Sequence, residues 1–232
     1  MLKQKNLDKT IIVSVGGSLI VPEEIDIAWI AGFKKIVDKY LARGYRFVII
    51  TGGGKTARKY QNAAKEITKL ENEDLDWIGI HSTRLNAHLF RTIFRKEAYP
   101  KLIKDPTEKI NFREKILIAA GWKPGCSTDY DAVLLARNFG IKRLVNLTNI
   151  DYVYNKDPRK FKDAKKIEEI NWKDFRKIVG NKWDPGLNAP FDPIASKECE
   201  KLGMEVAIIN GKNLENFEKY LNNDKFIGTI IK

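Results

Sequence analysis

FVIITGGGKTARKY, residues 47–60, combines three local signals in one stretch. Phe47 to Ile50 are aromatic or β-branched and predict a buried strand. Thr51-Gly52-Gly53-Gly54-Lys55 predicts a turn, and a helix is expected from about Thr56. Glycine lets backbone N–H groups close around an oxyanion, and the start of a helix adds its positive end. The stretch therefore predicts a strand, loop and helix that suit a phosphate group.

Two further loops have the same plan. Ile11–Val15 is a β-rich run broken by Gly16-Gly17-Ser18, and the apolar run Lys115–Ala120 leads into the loop Gly121–Thr128 and a helix around Ala132–Ala136. One glycine after a strand is ordinary turn chemistry, whereas three such loops in succession favour phosphate binding. No loop matches the GxxxxGK[ST] or GxGxxG pattern, so those two nucleotide-binding motifs are disfavoured.

The rest of the chain continues to alternate strands and helices. This alternation predicts an α/β protein, a three-layer αβα sandwich around a central, mainly parallel sheet. The further segments are helices at 25–41, 75 to about 96, 191–202 and 214–221, strands at 144–147, 206–209 and 227–231, and a possible short strand at 99–103.

Composition indicates one soluble globular domain over residues 1–232. The chain is 43% hydrophobic and 31% charged with 8 prolines, which is ordinary for a globular protein. No run approaches the ~18–20 apolar residues of a membrane span, and the start lacks the apolar core of a signal peptide. We expect a cytoplasmic protein with no membrane partner. Cys126 and Cys199 form no metal-ligand pattern, so reduced thiols are expected.

The formal charge of +12 raises the question of nucleic-acid binding. Lysines are spread along the chain, often beside acids, and aromatic residues do not interleave with them as a stacking platform requires. We therefore expect a solvated surface that also serves small anionic substrates, and nucleic acid as a partner is disfavoured.

The ordered motifs resemble the amino-acid kinase family and, within it, the archaeal-type uridylate (UMP) kinases. The resemblance covers nearly the whole chain. It implies the amino-acid kinase fold, with an acceptor-binding lobe at about 1–142 and an ATP-binding lobe at about 143–232. The segments that carry it are VGGSLIVP (15–22), TGGGKTARKY (51–60), DWIGIHSTRLNA (76–87), GWKPGCSTDYDAVLLA (121–136), TNIDYVYNKDP (148–158), FDPIASK (191–197) and IGTII (227–231).

On the acceptor side the resemblance assigns roles to loop residues. Gly16, Gly17 and Ser18 would face the transferring γ-phosphoryl group, and Gly53 and Gly54 the acceptor. The resemblance also implies that the acceptor is bound by Arg58, Asp76, Ser127 and Thr128. A planar guanidinium suits a phosphate because it offers parallel charge-assisted hydrogen bonds.

Asp76 matches the family aspartate that accepts bonds from ribose hydroxyls. A surface acid that caps a helix is the alternative for this residue. Thr128 resembles the threonine that reads the base or its phosphate, and Asp129 the acid that orders the magnesium and lysine network. Asp192 matches an aspartate near the triphosphate where other family members carry lysine, which favours a nucleotide as the acceptor.

On the donor side the resemblance points to residues that hold adenine and ribose. Tyr154 could give the base a flat face, and a core tyrosine is the alternative. The matching residues are Thr148, Asn149, Asp151, Tyr154 and Asp157.

One departure from the family concerns a cation. Bacterial UMP kinases carry a lysine where this chain has Ser14, and archaeal-type members also lack it. Lys55 is the first candidate to replace that charge and Lys197 the second, with surface lysines as the alternative for both. Trp122, Lys123 and the second acid Asp131 also depart from the pattern, and residues 183–188 receive no role.

The expected activity is transfer of the γ-phosphate of ATP to UMP, with ATP and Mg²⁺ required and no metal ligands assigned. The acceptor phosphate is already an oxyanion, so no general base is needed, and His81 and His88 are expected to be solvated or packed. Alternatives are another small-molecule kinase of the family or a non-catalytic relative that binds ATP or stores oxyanions. The resemblance also implies a homo-oligomer, a hexamer in UMP kinases.

Overall fold

A computed structural model describes residues 9–182 and 189–232. Its main feature is a seven-stranded sheet of order β3-β2-β1-β4-β8-β9-β7. The strands of this sheet are β1 (Thr10–Val15), β2 (Arg46–Thr51), β3 (Ile116–Ala119), β4 (Arg143–Thr148), β7 (Glu169–Ile170), β8 (Glu205–Asn210) and β9 (Thr229–Ile231). β5 (Val153–Tyr154) and β6 (Lys166–Ile167) form a separate antiparallel pair.

The central strands are parallel, as predicted. β1 pairs in parallel with β2 and with β4, β2 with β3, and β4 with β8. β9 runs antiparallel to its neighbour β8 at one side of the main sheet. Val15 lies opposite both Thr51 and Leu147, so the carboxyl ends of three neighbouring strands lie side by side. Loops that leave those ends meet at one edge of the sheet, where α/β proteins bind ligands.

Helices cover both faces of the sheet. They are α1 (Gly17–Ile20), α2 (Ile27–Ala42), α3 (Gly54–Ile67), α4 (Asn72–Ile93), α5 (Thr128–Phe139), α6 (Trp172–Val179), α7 (Pro193–Leu202) and α8 (Leu214–Leu221). Phe33 of α2, Phe90 of α4 and Phe217 of α8 belong to the core on one face. Ala132 of α5 and Phe175 of α6 belong to the core on the other.

Alternation along the strands produces these two cores. Val13 and Val15 point into the first core and Ile12 into the second, because successive strand side chains face opposite sides. The predicted three-layer αβα sandwich with a mainly parallel sheet is confirmed. Among the described residues, no helix combines the length and apolar character that crossing a membrane requires.

The possible strand at 99–103 does not form. Ala98 and Ile103 make only isolated bridges, to Ile116 and Ala119. Pro100 lies between them, and a proline has no N–H to donate to a ladder. This stretch therefore borders β3 without extending the sheet.

Several predicted boundaries move because polar side chains set them. Asp26 accepts a hydrogen bond from Trp29 N, so α2 begins at Ile27. Glu71 and Asp74 form a capping box, so α4 begins at Asn72, ahead of the predicted residue 75.

Two segments near the carboxyl end are shorter than predicted. α7 begins at Pro193, after the cap Asp192, and the last strand begins at Thr229. Ile227, its predicted first residue, instead exchanges two hydrogen bonds with the Asn216 side chain.

Candidate active site

The first two glycine loops interlock at the ends of β1 and β2. A Cβ added at Gly17 would lie 2.0 Å from Gly54 N and 2.7 Å from Gly53 N, and one added at Gly52 would lie 2.5 Å from Gly17 N. Gly54 has φ +65°, a conformation that favours glycine. Glycine is therefore required here by backbone-to-backbone contact, and the two loops form one continuous surface of main-chain groups.

Buried polar groups of α4 hold the second loop in place. Asn86 Nδ2 donates to Gly52 O at 2.8 Å, and Thr51 Oγ1 donates to Thr83 O at 3.0 Å. Gly53 then precedes α3, so that helix begins directly at the loop, and Lys55 N in its first turn donates to Val21 O at 2.9 Å. Sequence reasoning did not name Thr83 or Asn86; their signal was polar residues on the buried side of a helix.

The first loop is also joined to the end of β4. Gly16 N donates to Leu147 O at 2.8 Å, and a Cβ on Gly16 would lie 2.9 Å from the same oxygen. Thr148 follows directly and accepts Gly211 N at 2.8 Å through its carbonyl oxygen. Ser18 is half-buried in the short helix α1. Gly16 and Thr148, predicted to bind the donor, are therefore neighbours.

α3 carries the predicted cations next to these loops. Lys55 lies in its first turn, where its Nζ is 2.9 Å from Glu23 Oε1. Arg58 is exposed one turn further along. The hydrogen bond from Lys55 keeps the pKa of Glu23 below its ordinary value, with smaller contributions from Lys59 and Arg58. Lys197, the second candidate, is exposed on α7.

The third loop is anchored to α4 and α5. Gly121 N donates to Thr83 Oγ1 at 2.8 Å, and Gly125 N donates to Asp76 Oδ2 at 2.8 Å. Asp76 is half-buried inside α4, whose cap is Glu71, so the capping alternative for Asp76 is wrong. Burial raises the pKa of Asp76. Its carboxylate therefore ties α4 to the middle of the loop.

Asp129 and Asp192 come together beneath the first loop. Ser14 Oγ donates to Asp129 Oδ1 at 3.1 Å, and Asp192 N donates to Asp129 Oδ2 at 3.3 Å. Burial and the nearby charge of Asp192 raise the pKa of Asp129 to about 7. Asp192 also has a raised pKa, chiefly through burial, and its Oδ1 caps α7 by accepting Ala195 N at 2.6 Å.

Two more predicted residues begin α5 beside this acid pair. Ser127 is the cap of the helix and accepts Tyr130 N at 3.1 Å through its side chain. Thr128 is the first helical residue and is half-buried. Ser127 and Thr128 thus lie between the third loop and Asp129.

A cavity of about 840 Å³ opens beyond the end of β4. Four predicted donor-side residues line it: Thr148, Asn149, Tyr154 and Asp157. Asp151 is not among the lining residues; its Oδ1 accepts Asn210 Nδ2 at 2.8 Å, which ties this segment to the end of β8.

Three cations of this cavity, Lys156, Arg159 and Lys177, were not singled out from sequence. Arg159 donates to both carboxylate oxygens of Asp157 at 3.1 Å. The run NKDPRK after β5 was the available signal.

Comparison with known proteins identifies the family. The model of the amino acid kinase family matches residues 9–210.

The chain belongs to the amino acid kinase family.

Curated relatives span nearly the same length as this amino acid kinase. A protein named uridylate kinase from Methanospirillum hungatei is 33% identical over 225 residues, which cover 96% of this chain and 94% of the relative. A uridylate kinase from Pyrococcus abyssi is 35% identical over 206 residues, covering 88% and 91%. The predicted resemblance is confirmed.

Solved structures agree. Uridylate kinase from Archaeoglobus fulgidus superimposes with a TM-score of 0.79 at 29% identity, covering 97% of this chain and all of that one (100%). UMP kinase from Bacillus anthracis gives a TM-score of 0.76 at 16% identity, a likeness of fold.

A metal ion bound to this amino acid kinase would need coordinating atoms from the substrate in addition to those of the protein. Within residues 9–182 and 189–232, no three His, Cys, Asp or Glu side chains are grouped so that they could hold a metal. Mg²⁺ usually binds through one or two carboxylates together with substrate phosphates. Asp129 and Asp192 fit that requirement: Asp192 N donates to Asp129 Oδ2, and the buried Asp192 Oδ2 has no hydrogen-bond partner in the described part of the chain.

Proposed function

We propose that this amino acid kinase transfers the γ-phosphate of ATP to UMP and yields ADP and UDP. The main support is the continuous main-chain surface formed by Gly17 and Gly52–Gly54. Ser14, in the strand β1 that leads to Gly17, also donates a hydrogen bond to the Asp129 carboxylate. Relatives named uridylate kinase that match most of the chain support the choice of acceptor.

UMP would bind on the side of α3, α4 and the third loop. In this proposal Gly53, Gly54 and Arg58 receive its phosphate, and Asp76 its ribose. Ser127 and Thr128, at the start of α5, would face the phosphate or the base. The positive helix starts and the exposed guanidinium of Arg58 suit an anionic acceptor.

ATP would bind beyond the end of β4, with its base and ribose in the 840 Å³ cavity. Thr148, Asn149, Tyr154 and Asp157 would contact the nucleoside, and Asp151 would support them from beneath. Gly16 would approach the phosphates, since its main chain borders Thr148. The proposed lobes are thus about 1–142 for the acceptor and about 143–232 for ATP.

The chemistry needs positioning and charge. An oxygen of the UMP phosphate attacks the γ-phosphorus, and the bond from that phosphorus to the bridging oxygen of ADP breaks. Gly17 and Ser18 would offer N–H groups to the transferring phosphoryl group, and Lys55 would add positive charge. Mg²⁺, bound with ATP, would neutralise phosphate charge, with Asp129 and Asp192 as the residues that hold it. No general base is required because the acceptor is already ionised.

The wider setting is also part of the proposal. We infer a cytoplasmic enzyme of pyrimidine nucleotide synthesis that works as a homo-oligomer, a hexamer by family resemblance. Large apolar side chains that point to solvent on α3 and α4 support self-association: Tyr60 is 68% exposed, Ile67 85% and Leu85 64%.

A coupled assay of ADP release tests the activity. UMP, CMP, isopentenyl phosphate, carbamate and N-acetylglutamate are offered with Mg-ATP, and UMP should give the highest kcat/KM. Preference for a non-nucleotide acceptor would assign another kinase activity of the family. ATP binding by calorimetry without ADP release for any acceptor would instead favour a non-catalytic relative.

A further inference from the structure

Asp131 is a buried acid that the proposed chemistry does not use. Its relative exposure is 0%, and Ala132, Val133 and Leu134 follow it in α5 as buried apolar residues. An ionisable side chain in such a position costs free energy that an apolar residue would not. A buried acid of this kind therefore calls for an explanation from its contacts.

The partner of Asp131 is the third loop. Its Oδ2 accepts a hydrogen bond from Trp122 N at 3.0 Å, whereas Oδ1 has no partner within the described parts of the chain. Trp122 is the second residue of the loop that follows β3 and precedes α5. The acid therefore reaches back from the helix to the start of the loop that leads into it.

Residues of α4 also hold the main chain of Gly121 and Trp122. Thr83 Oγ1 accepts Gly121 N at 2.8 Å, while Arg84 donates to Gly121 O at 3.3 Å and to Trp122 O at 2.9 Å. The N–H and C=O of both Gly121 and Trp122 are therefore bonded to side chains. A Cβ on Gly121 would lie 2.9 Å from Thr83 Oγ1, so glycine allows this close approach.

We propose that Asp131 is a positioning residue that clamps the start of the 121–127 loop against α5 and thereby sets the position of the acceptor. The inference rests on the proposed function for its substrate, because Gly125, Ser127 and Thr128 belong to or adjoin that loop. It concerns the acceptor alone, since the donor cavity lies beyond β4.

Two variants separate the clamp from general stability. Asp131→Val removes the carboxylate oxygen that accepts the hydrogen bond from Trp122 N and keeps a buried side chain. Asp131→Asn keeps an oxygen at the same place. Asp131→Val should raise the KM for UMP roughly tenfold, as expected when a partly buried N–H loses its partner, with the KM for ATP unchanged. Asp131→Asn should stay within about twofold of the wild type, because it still accepts the bond.

Leu135→Ala is the matched control, because Leu135 is fully buried in the same helix. It should lower the unfolding midpoint and leave the KM for UMP unchanged. An unaltered UMP KM in Asp131→Val, or an equal rise in the KM for ATP, would overturn the clamp. If Asp131→Val does not fold, Thr83→Val removes the neighbouring anchor and should give the same selective rise.

A second readout does not depend on activity. The chain has 5 tryptophans, so ¹⁵N-tryptophan labelling gives few backbone amide signals. Exchange of the Trp122 amide with solvent should accelerate at least about tenfold in Asp131→Val and not in Asp131→Asn. The Trp29 amide, which donates to Asp26 Oδ1 at 2.9 Å, is an internal reference that should not change.

These readouts fail independently. A wild-type protein that does not phosphorylate UMP would reject the proposed function, while the Trp122 exchange rates would still decide whether Asp131 holds the loop. Unchanged Trp122 exchange in Asp131→Val would refute the clamp even if UMP is the substrate.

Discussion

The glycine loops and the donor cavity differ in the part of the chain that faces a ligand. At the glycine loops (16–18 and 52–55), main-chain atoms approach so closely that a Cβ on Gly17, Gly52 or Gly54 would overlap them. The cavity beyond β4 is lined by side chains, and residues 141–179 contain no glycine at all. Phosphate oxygens can be bound by backbone N–H groups, whereas a base needs flat and polar side chains. We therefore expect the glycine loops to tolerate almost no substitution and the donor cavity to tolerate conservative ones.

The strongest test of the rigid region is Gly17→Ala. The added methyl would lie 2.0 Å from Gly54 N, and an overpacked site costs about 1–3 kcal/mol or more in the free energy of unfolding. Displacement of the loop should lower kcat at least about 100-fold. Urea unfolding and the coupled assay measure both effects. Gly140→Ala is the control for backbone strain without overlap: its Cβ meets nothing within 4 Å, but its φ of +72° favours glycine. This variant should lose about 1 kcal/mol of unfolding free energy and keep its activity.

Asp129→Asn probes the acid beneath that region. Loss of a carboxylate that supports a metal-bound substrate should lower kcat by about 10–100-fold. The folded pKa of Asp129 is raised to about 7 from 3.8, so its proton stabilises the fold at low pH and that contribution disappears between about pH 4 and 7. Asparagine has no such proton to lose.

The wild type should therefore lose unfolding free energy from pH 5 to pH 8, and Asp129→Asn should lose less. The stability of the variant minus that of the wild type should be larger at pH 8 than at pH 5. Denaturant titrations at both values measure the difference. An equal difference at the two pH values would show that Asp129 does not titrate in this range.

Arg58→Lys asks whether geometry or charge matters on the acceptor side. Lysine keeps the charge and loses the planar fork, and a hydrogen bond to a charged group contributes about 1.5–3 kcal/mol. The KM for UMP should rise about tenfold or more, with the KM for ATP unchanged. Initial rates at varied UMP and ATP provide the test. A rise in the KM for ATP instead would move Arg58 to the donor side.

Tyr154→Ala tests the tolerant region. Loss of stacking on a base costs about 1–3 kcal/mol, so the KM for ATP should rise at least about fivefold while the KM for UMP stays constant. Tyr154→Phe keeps the ring and should match wild type. If the KM for ATP rises equally in both variants, the hydroxyl of Tyr154 rather than its ring face binds ATP.

Glu23→Gln should have the smallest effect. The side chains of Lys55 and Glu23 are 36% and 73% exposed, and solvent screens an ion pair in such a position. The urea midpoint of unfolding should not change measurably. A clear loss of stability would mean that the pair holds the loop at 22–26 onto α3.

Sequence periodicity predicted most of the elements around the site, and its errors have physical causes. The strand expected at 99–103 failed at Pro100, and the last strand began at Thr229 because Asn216 binds the main chain of Ile227. Both errors depend on single polar or imino groups, which hydrophobic periodicity does not register.

The candidate site was predictable where it depends on local chain geometry. Glycine after a buried strand indicates an exposed main chain from sequence alone, and Gly16, Gly17, Gly53 and Gly54 do lie at strand ends. The partners of those loops were not predictable: Thr83 and Asn86 lie more than 30 residues from the loop that they hold, and only folding brings them together. Asp131 is close in sequence to Trp122, but no hydrophobic pattern specifies that its side chain turns back onto the loop.

The αβα class, the glycine-loop positions and the family can be inferred without coordinates, because periodicity, glycine and ordered motifs are properties of neighbouring residues. The contacts of Gly17 with Gly54 and of Ser14 with Asp129 appear only in the folded chain. They join residues that strand pairing and helix packing bring together, which no local pattern specifies.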